Sequence, residues 1–416
     1  MRQMKDSGIE WIGQIPQTWD EHPIYYYFAE RKNKNIFGQE QNLLSLSYGK
    51  IIRKDINSTE GLLPENYNGY NIVYAGDIVM RLTDLQNDQR SLRTGLVYEK
   101  GIVTSAYVTL RPKMDLDSRY FHYLLHTFDV LKVFYNMGNG VRQGLNFAQL
   151  SKCKLIAPPL AEQERIAGFL DAKCAEVDAL AREIKEEIAT LEEYKRSVIT
   201  EAVTKGLDAS VPMKNSGIEW IGEIPQAWDL RKGKYVLQYL QKPVRIDDEV
   251  ITCFRDGQVT LRGNRREDGF TMADKEIGYQ GIDEGDLVVH GMDGFAGAIG
   301  ISDCRGKASP VLNVLDTRQN KRYVMFYLRS LAYRDVFLAL STGIRVRSCD
   351  LRWNKLAELF YLIPPLAEQE QIVAKIDEML AKVDALIAEK QNQLATLEEY
   401  KKSVIFEYVT GKKEVV

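Results

Sequence analysis

The sequence predicts an α+β protein of two homologous domains separated by two long helices, which pair as an antiparallel coiled coil and give the chain pseudo-two-fold symmetry. Three observations carry this. The recognisable phrases of the first half recur in the second. The phrase that recurs best has the heptad period of a long helix. The stretches between are short β-rich runs broken by Gly and Asn.

The repeat begins at once. SGIEWIG at 7–13 returns at 216–222, and each copy runs on through Ile-Pro-Gln to a Trp (Trp19, Trp228) and an Asp. PPLAEQE opens at Pro158 and again at Pro364, 206 positions later, and both copies close on nearly the same words, EYKRSVITEAVT and EYKKSVIFEYVT. Between these blocks the likeness fades but keeps its order. AGDIVMRL (75–82) stands beside EGDLVVHG (284–291), and LNFAQL (145–150) beside LRWNKL (351–356). So long a period excludes a solenoid, whose units run about 20–50 residues. The partition is 1–157 for the first domain, with its conserved segment 7–19, and 158–206 for the first helix. The second domain follows at 207–363, with segment 216–228, and the second helix at 364–416.

Runs such as GLVYEKGIVTSAYVTLRP (95–112) and AIGISDCRGKASPVLNVLD (298–316) read as strands and turns of an α+β domain. After each PPL the pattern changes. Leu170, Cys174, Val177, Ala181, Ile184, Ile188, Leu191 and Val198 fall on an alternating 4,3 spacing, interrupted at Lys195. Ile376, Leu380, Val383, Ile387, Leu394, Leu397 and Val404 repeat it, interrupted at Lys390 and Lys401. Each helix is expected to run about 43 residues, roughly 65 Å. So narrow a seam needs a partner, and the other copy is the nearest of equal length; packing of each helix on its own domain is the alternative. Trp19 and Trp228 are expected to close each half onto the helix bases. Trp11 and Trp220 are read as core, with partner docking as the rival. Glu162, Glu164, Glu368 and Glu370 are helix-start acids complementing the dipole, not catalysts.

Composition sets limits. Hydrophobic residues make up 45% and charged residues 27%, ordinary for a soluble protein, and no apolar run reaches the 18 or so residues of a membrane span. With no signal-like apolar segment at the start, a cytoplasmic location is expected. The five cysteines (Cys153, Cys174, Cys253, Cys304, Cys349) stand singly and read as buried thiols. His122 and His126 share a helix face, but no ligand partner accompanies them, so they read as helix-surface residues and no metal is expected. Phosphate loops, dinucleotide fingerprints, nucleophile elbows and the Asn-Pro-Pro-Phe type of adenine methyltransferase motif are all missing, so no catalytic residue is assigned.

Charge separates the two kinds of region. Residues 20–157 carry 17 Lys/Arg against 14 Asp/Glu and residues 230–363 carry 21 against 17, whereas both helical blocks are acidic. The cations gather in loops that occupy corresponding places but differ in sequence. Lys50, Arg53 and Lys54 lie in GKIIRKD, Arg81, Arg90 and Arg93 in RLTDLQNDQRSLR, and Asn139, Arg142 and Gln143 in GNGVRQG. In the second domain Arg255, Arg262, Arg265 and Arg266 lie in CFRDGQVTLRGNRR, His290 opens HGMDG, and Arg345 and Arg347 lie in STGIRVR. Arg, Asn and Gln read base edges and Lys and Arg hold phosphates, so these residues are the candidate DNA contacts.

Paired SGIEWIG segments, paired PPLAEQE segments opening long helices, and two divergent domains between them resemble the specificity subunit of a type I restriction-modification enzyme, over essentially the whole chain. The resemblance implies that each divergent domain is a target recognition domain reading one half of a split site in double-stranded DNA, with the helices as spacer. It implies a non-catalytic chain that binds no cofactor itself. Two modification (methyltransferase) subunits and restriction (translocase and nuclease) subunits would be its partners, and S-adenosylmethionine, ATP and Mg2+ would reside on them. Two other readings stay open on the residues alone: a DNA-binding regulator or decoy acting without partners, and a coiled-coil scaffold for proteins only.

Overall fold

The computed structural model describes residues 2–58, 66–85, 92–137, 144–265, 276–339 and 351–415. The chain divides into two compact units, Met1–Ile184 with Asn392–Val416, and Lys185–Gln391. Each unit therefore takes a stretch of both long helices.

In the first unit SGIEWIG is the loop of a hairpin between Met4–Asp6 and Gln14–Pro16. The Ser7 hydroxyl accepts the Ile9 N–H at 3.1 Å, and the Ser7 N–H donates to the Gly13 carbonyl at 2.9 Å. Closing so tight a loop puts Gly13 at φ +68°, where a side chain would be strained. Its product is the burial of Ile12, Ile15 and Trp19. The second unit repeats the loop between Met213–Asn215 and Glu223–Pro225, with Gly222 at φ +76° and Ile221, Ile224 and Trp228 buried.

Each unit holds one four-stranded antiparallel sheet of identical topology. In the first, the order across the sheet is Phe28–Glu30, Val108–Pro112, Ile78–Met80, Thr94–Leu96. In the second it is Leu237–Leu240, Leu312–Thr317, Leu287–His290, Ile299–Ile301. An amphipathic helix covers each sheet, Ser118–Val130 and Lys321–Tyr333; the Asp117 side chain caps the first by accepting the N–H groups of Arg119 and Tyr120, and the Asn320 side chain caps the second by accepting those of Arg322 and Tyr323. A short hairpin also recurs, Leu44–Ser47 with Lys50–Arg53 and Ile251–Cys253 with Val259–Leu261. Its turn differs between the units: Tyr48 and Gly49 in the first, the run from Phe254 to Gln258 in the second.

The repeated words are explained by repeated contacts. Trp19 Nε1 donates to Glu162 at 3.2 Å, and Trp228 Nε1 to Glu368 at 3.0 Å. Gln163 donates to the Pro158 carbonyl and accepts the Asp117 N–H; Gln369 does the same with Pro364 and Asn320. Tyr120 donates its hydroxyl to the Val409 carbonyl at 3.0 Å, and Tyr323 to that of Val203 at 3.2 Å. The first acid of each AEQE, Glu162 or Glu368, thus acts as an indole acceptor as well as a helix-start charge. Both Trp side chains close their half onto a helix base, and Trp11 is half-buried with its ring edge-on to Phe128.

The long helices are Leu160–Lys205 and Leu366–Val409, 46 and 44 residues. They pack together and run antiparallel. In the first unit Lys401 pairs with Asp178 at 2.6 Å; in the second, Lys390 pairs with Glu187 at 2.6 Å and Lys195 with Asp384 at 2.5 Å. The three lysines that interrupt the seam are those three, and each reaches an acid on the other helix. Among the seam residues, Leu170, Cys174, Val177, Ile184, Ile376, Val383, Ile387 and Val404 are buried. Ile188, Leu191, Val198, Leu380, Leu394 and Leu397 are half-buried. Packing on a domain and packing on the other helix are not alternatives here. Ile166, Ala167 and Leu170 enter the first unit's core with Val404, Ile405 and Val409, while Ile199 and Val203 enter the second's with Ile372 and Ile376.

Candidate nucleic-acid interface

In the second unit the hairpin turn Phe254-Arg255-Asp256-Gly257 is closed by two backbone hydrogen bonds, Phe254 N–H to Gln258 and Gly257 N–H to Phe254. It rests on the glycine-rich run 291–297. A side-chain carbon on Gly297, at φ +93°, would come within 2.7 Å of the Arg255 carbonyl, so the run is the bed on which the turn lies. The turn, the strand end at His290 and the short helical turn Arg262–Asn264 enclose a cleft of about 560 Å³.

Arg255, Arg262, Arg265 and His290, four of the sequence candidates, all line this cleft. Arg255 is two-thirds exposed and pairs through Nη2 with Asp293 at 2.9 Å. Arg265 pairs through Nη1 with Asp256 at 2.6 Å and lies with its guanidinium carbon 4.4 Å over the Phe254 ring. Arg262 donates from Nε to the Thr252 hydroxyl at 3.3 Å. His290 Nδ1 accepts two backbone N–H groups, from Met292 at 3.2 Å and Asp293 at 2.9 Å. The ring proton must then sit on Nε2, leaving a donor at the cleft. Burial lowers the His290 pKa, so the ring is neutral at neutral pH; Asp293 opposes that shift and Arg255 adds to it. Residue chemistry alone did not point to Phe254, Asp256 and Asp293, which hold the arginines; the run FRDG was the only hint.

The first unit places its candidates differently. Lys50, Arg53 and Lys54 follow one another along and just past the second hairpin strand, all exposed. Lys50 approaches Asp178 at 3.8 Å, and Arg53 forks onto Glu99. Arg81, half-buried at the end of its strand, gives its carbonyl to Arg93. Arg93 itself is a correction: it is fully buried, not a surface contact. Its guanidinium donates to the carbonyls of Arg81, Thr83 and Asp84 and to the Tyr135 hydroxyl, at 2.8–3.2 Å, and so ties down the loop after the strand Ile78–Met80. Arg90, Asn139, Arg142, Gln143, Arg266, Arg345 and Arg347 lie outside the described residues.

His122 and His126 depart from the surface reading. They line a cavity of about 320 Å³ beneath the Tyr48–Gly49 turn, together with Tyr98, Tyr123, Asp171, Cys174 and Lys401. Burial pushes both pKa values down to about 4; for His126, neighbouring His122, Lys401 and Lys402 add to the effect, whereas for His122 the Thr94 carbonyl and Asp171 oppose it. The unfolded rings take up protons near pH 6.5, so between about pH 6.5 and 4 the unfolded state binds more. Stability from this source is complete above that window and is lost as pH falls through it. A chain carrying His122→Gln and His126→Gln should show a shallower fall in unfolding midpoint across that window, and parallel curves would refute the assignment. Among the described residues no group of three or more His, Cys, Asp or Glu side chains could hold a metal ion, and no helix is long and apolar enough to cross a membrane.

Comparison with known proteins follows the same lines. The family model for the type I restriction modification DNA specificity domain matches residues 28–190. A putative type I restriction enzyme MjaX specificity subunit of Methanocaldococcus jannaschii is 27% identical over 234 residues, 53% of this chain and 52% of that protein. The StySPI specificity subunit of Salmonella potsdam is 21% identical over 319 residues, 73% of this chain and 67% of that one. Over residues 28–190 the chain is thus similar to that domain, and over longer stretches to these specificity subunits. Its match to the first of those relatives spans about half of that protein's length. The fold agrees: a solved chain from work on complex assembly and conformational transition of the type I R-M system superposes with a TM-score of 0.67 at 15% identity. That match covers 96% of this chain and 99% of the solved chain.

Proposed function

We propose that this chain is a type I specificity subunit that reads an asymmetric, bipartite site in double-stranded DNA, one half per recognition domain, with the paired helices setting the unread gap between them. Two methyltransferase subunits dock on its repeated surfaces, and restriction subunits complete the complex. S-adenosylmethionine, ATP and Mg2+ are then held by those partners, and the complex works in the cytoplasm. One observation carries the reading. The two units share their topology and the contacts of Trp19 and Trp228, Gln163 and Gln369, and Tyr120 and Tyr323, yet differ in the hairpin turns and clefts where Lys50, Arg53, Arg255 and Arg265 lie. A frame kept constant while its loops diverge is what two readers of different sequences need.

The test exchanges residues 20–157 for the corresponding stretch of a divergent specificity subunit and maps methylated adenines in cells that carry the methyltransferase subunit. One half of the modified motif should change, while the other half and the gap persist. A motif left intact, or one altered in both halves, would overturn the reading.

A further inference from the structure

The cleft of the second unit holds two arginines that share an arrangement. Each is paired with a carboxylate at one end of its fork, Arg255 with Asp293 at 2.9 Å and Arg265 with Asp256 at 2.6 Å. Each is held independently of any ligand. Arg255 stands on a turn closed by backbone hydrogen bonds, and Arg265 is stacked at 4.4 Å on Phe254. Both line the same cavity of about 560 Å³, beside the Nε2 donor of His290.

Such couples suit a base edge better than a phosphate. A carboxylate within 3 Å offsets most of the guanidinium charge seen from a distance, and it repels a phosphate directly. It does not remove the fork's directional donors. Those still match two neighbouring acceptors in one plane, which in the major groove is the signature of guanine O6 and N7. The carboxylate also has a use on the same base pair, since cytosine presents its N4 amino group beside guanine. An Arg–Asp couple is therefore complementary to a whole G·C pair.

We propose that the second recognition domain reads G·C pairs in its half-site, with Arg255 and Arg265 donating to guanine and Asp293 and Asp256 orienting them. The first unit offers no matching cleft among the described residues. Its candidate on the hairpin, Arg53, commits Nε and Nη2 together to Glu99, and Arg93 is buried. This inference rests on the DNA-reading function proposed above.

The test compares the intact complex carrying the natural chain, Arg255→Ala or Arg265→Ala, by mapping methylated adenines genome-wide. The second half-site is the half that stays constant when residues 20–157 are exchanged. It should contain at least one G·C pair at which each variant tolerates other bases, with discrimination there reduced roughly tenfold to a hundredfold and the first half unchanged. Asp293→Asn should relax the same position as Arg255→Ala, and thermal unfolding of the variants should match that of the natural chain. Duplex binding measured over a salt series separates the rival role. Uniform weakening on all sequences, with a shallower salt dependence, would make these arginines phosphate contacts and overturn the proposal. So would a second half-site without G·C, or variants with an unaltered motif. If the natural complex modifies no defined motif at all, the DNA-reading function itself fails, an outcome distinct from the others.

Discussion

Trp19→Ala should destabilise the first unit by about 3–5 kcal/mol, and Trp228→Ala the second by a similar amount. Both indoles are completely buried, and each donates its N–H to a glutamate at the start of a long helix, Glu162 or Glu368. Truncation removes the apolar contact with the core and leaves a cavity. It also strips a hydrogen bond from a carboxylate, and for Glu162, itself buried, that is the costlier loss. Arg2 remains as a partner of Glu162 at 2.5 Å, so the acid is not left alone. Gly411 and Gly206 restrict repair. A side-chain carbon on Gly411 would come within 3.1 Å of Trp19, and one on Gly206 within 3.3 Å of Trp228, so these walls are backbone and cannot collapse into the space. Trp→Phe at either site keeps most of the buried area and should cost about 1–3 kcal/mol, the share of the charged hydrogen bond. Because the chain has two compact units, hydrogen exchange is the sharper readout. Trp19→Ala should raise exchange in the Ser118–Val130 helix while the Lys321–Tyr333 helix stays protected, and Trp228→Ala should do the reverse. A loss below 1 kcal/mol with unchanged exchange would mean that the indoles do not hold the helix bases.

Arg93→Ala should cost about 3–5 kcal/mol, which for a side chain first read as a DNA contact is the opposite kind of effect. Its donors satisfy three carbonyls and a phenol inside the first unit, and one of those carbonyls belongs to Asp84, a non-glycine residue at φ +58°. Removing the guanidinium takes its four hydrogen bonds from those acceptors, at about 1–3 kcal/mol for each that water cannot reach. Arg93→Lys should rescue little, because an ammonium on a flexible stem cannot span acceptors arranged for a planar fork. Denaturant unfolding measures the loss. Were the variant instead as stable as the natural chain but weaker on DNA in a salt-dependent way, Arg93 would return to the interface.

Lys50 and Arg93 show where reading by residue type stops. Both are cations in polar stretches of the first domain, and composition treats them alike; burial separates them, since one is exposed beside Asp178 and the other is enclosed under the strand ends. His122 and His126 make the same point in reverse. Their i, i+4 spacing correctly places them on one helix face, but whether that face meets water depends on the hairpin turn and the two long helices, which are distant in the chain.

Periodicity and repetition were enough to read two like halves and two long helices, because heptad spacing and duplicated words are properties of the chain read in order; antiparallel pairing was an expectation that left packing on each helix's own domain open. The lysines interrupting the seam could be counted but not explained until Asp178, Glu187 and Asp384 were found across from them. Which cations gather into one cleft, which carboxylates orient them and which cation is a buried strut depend on contacts between residues far apart in sequence. Such contacts leave no local spacing to read, since they are set by how sheet, turn and helix close on one another in three dimensions.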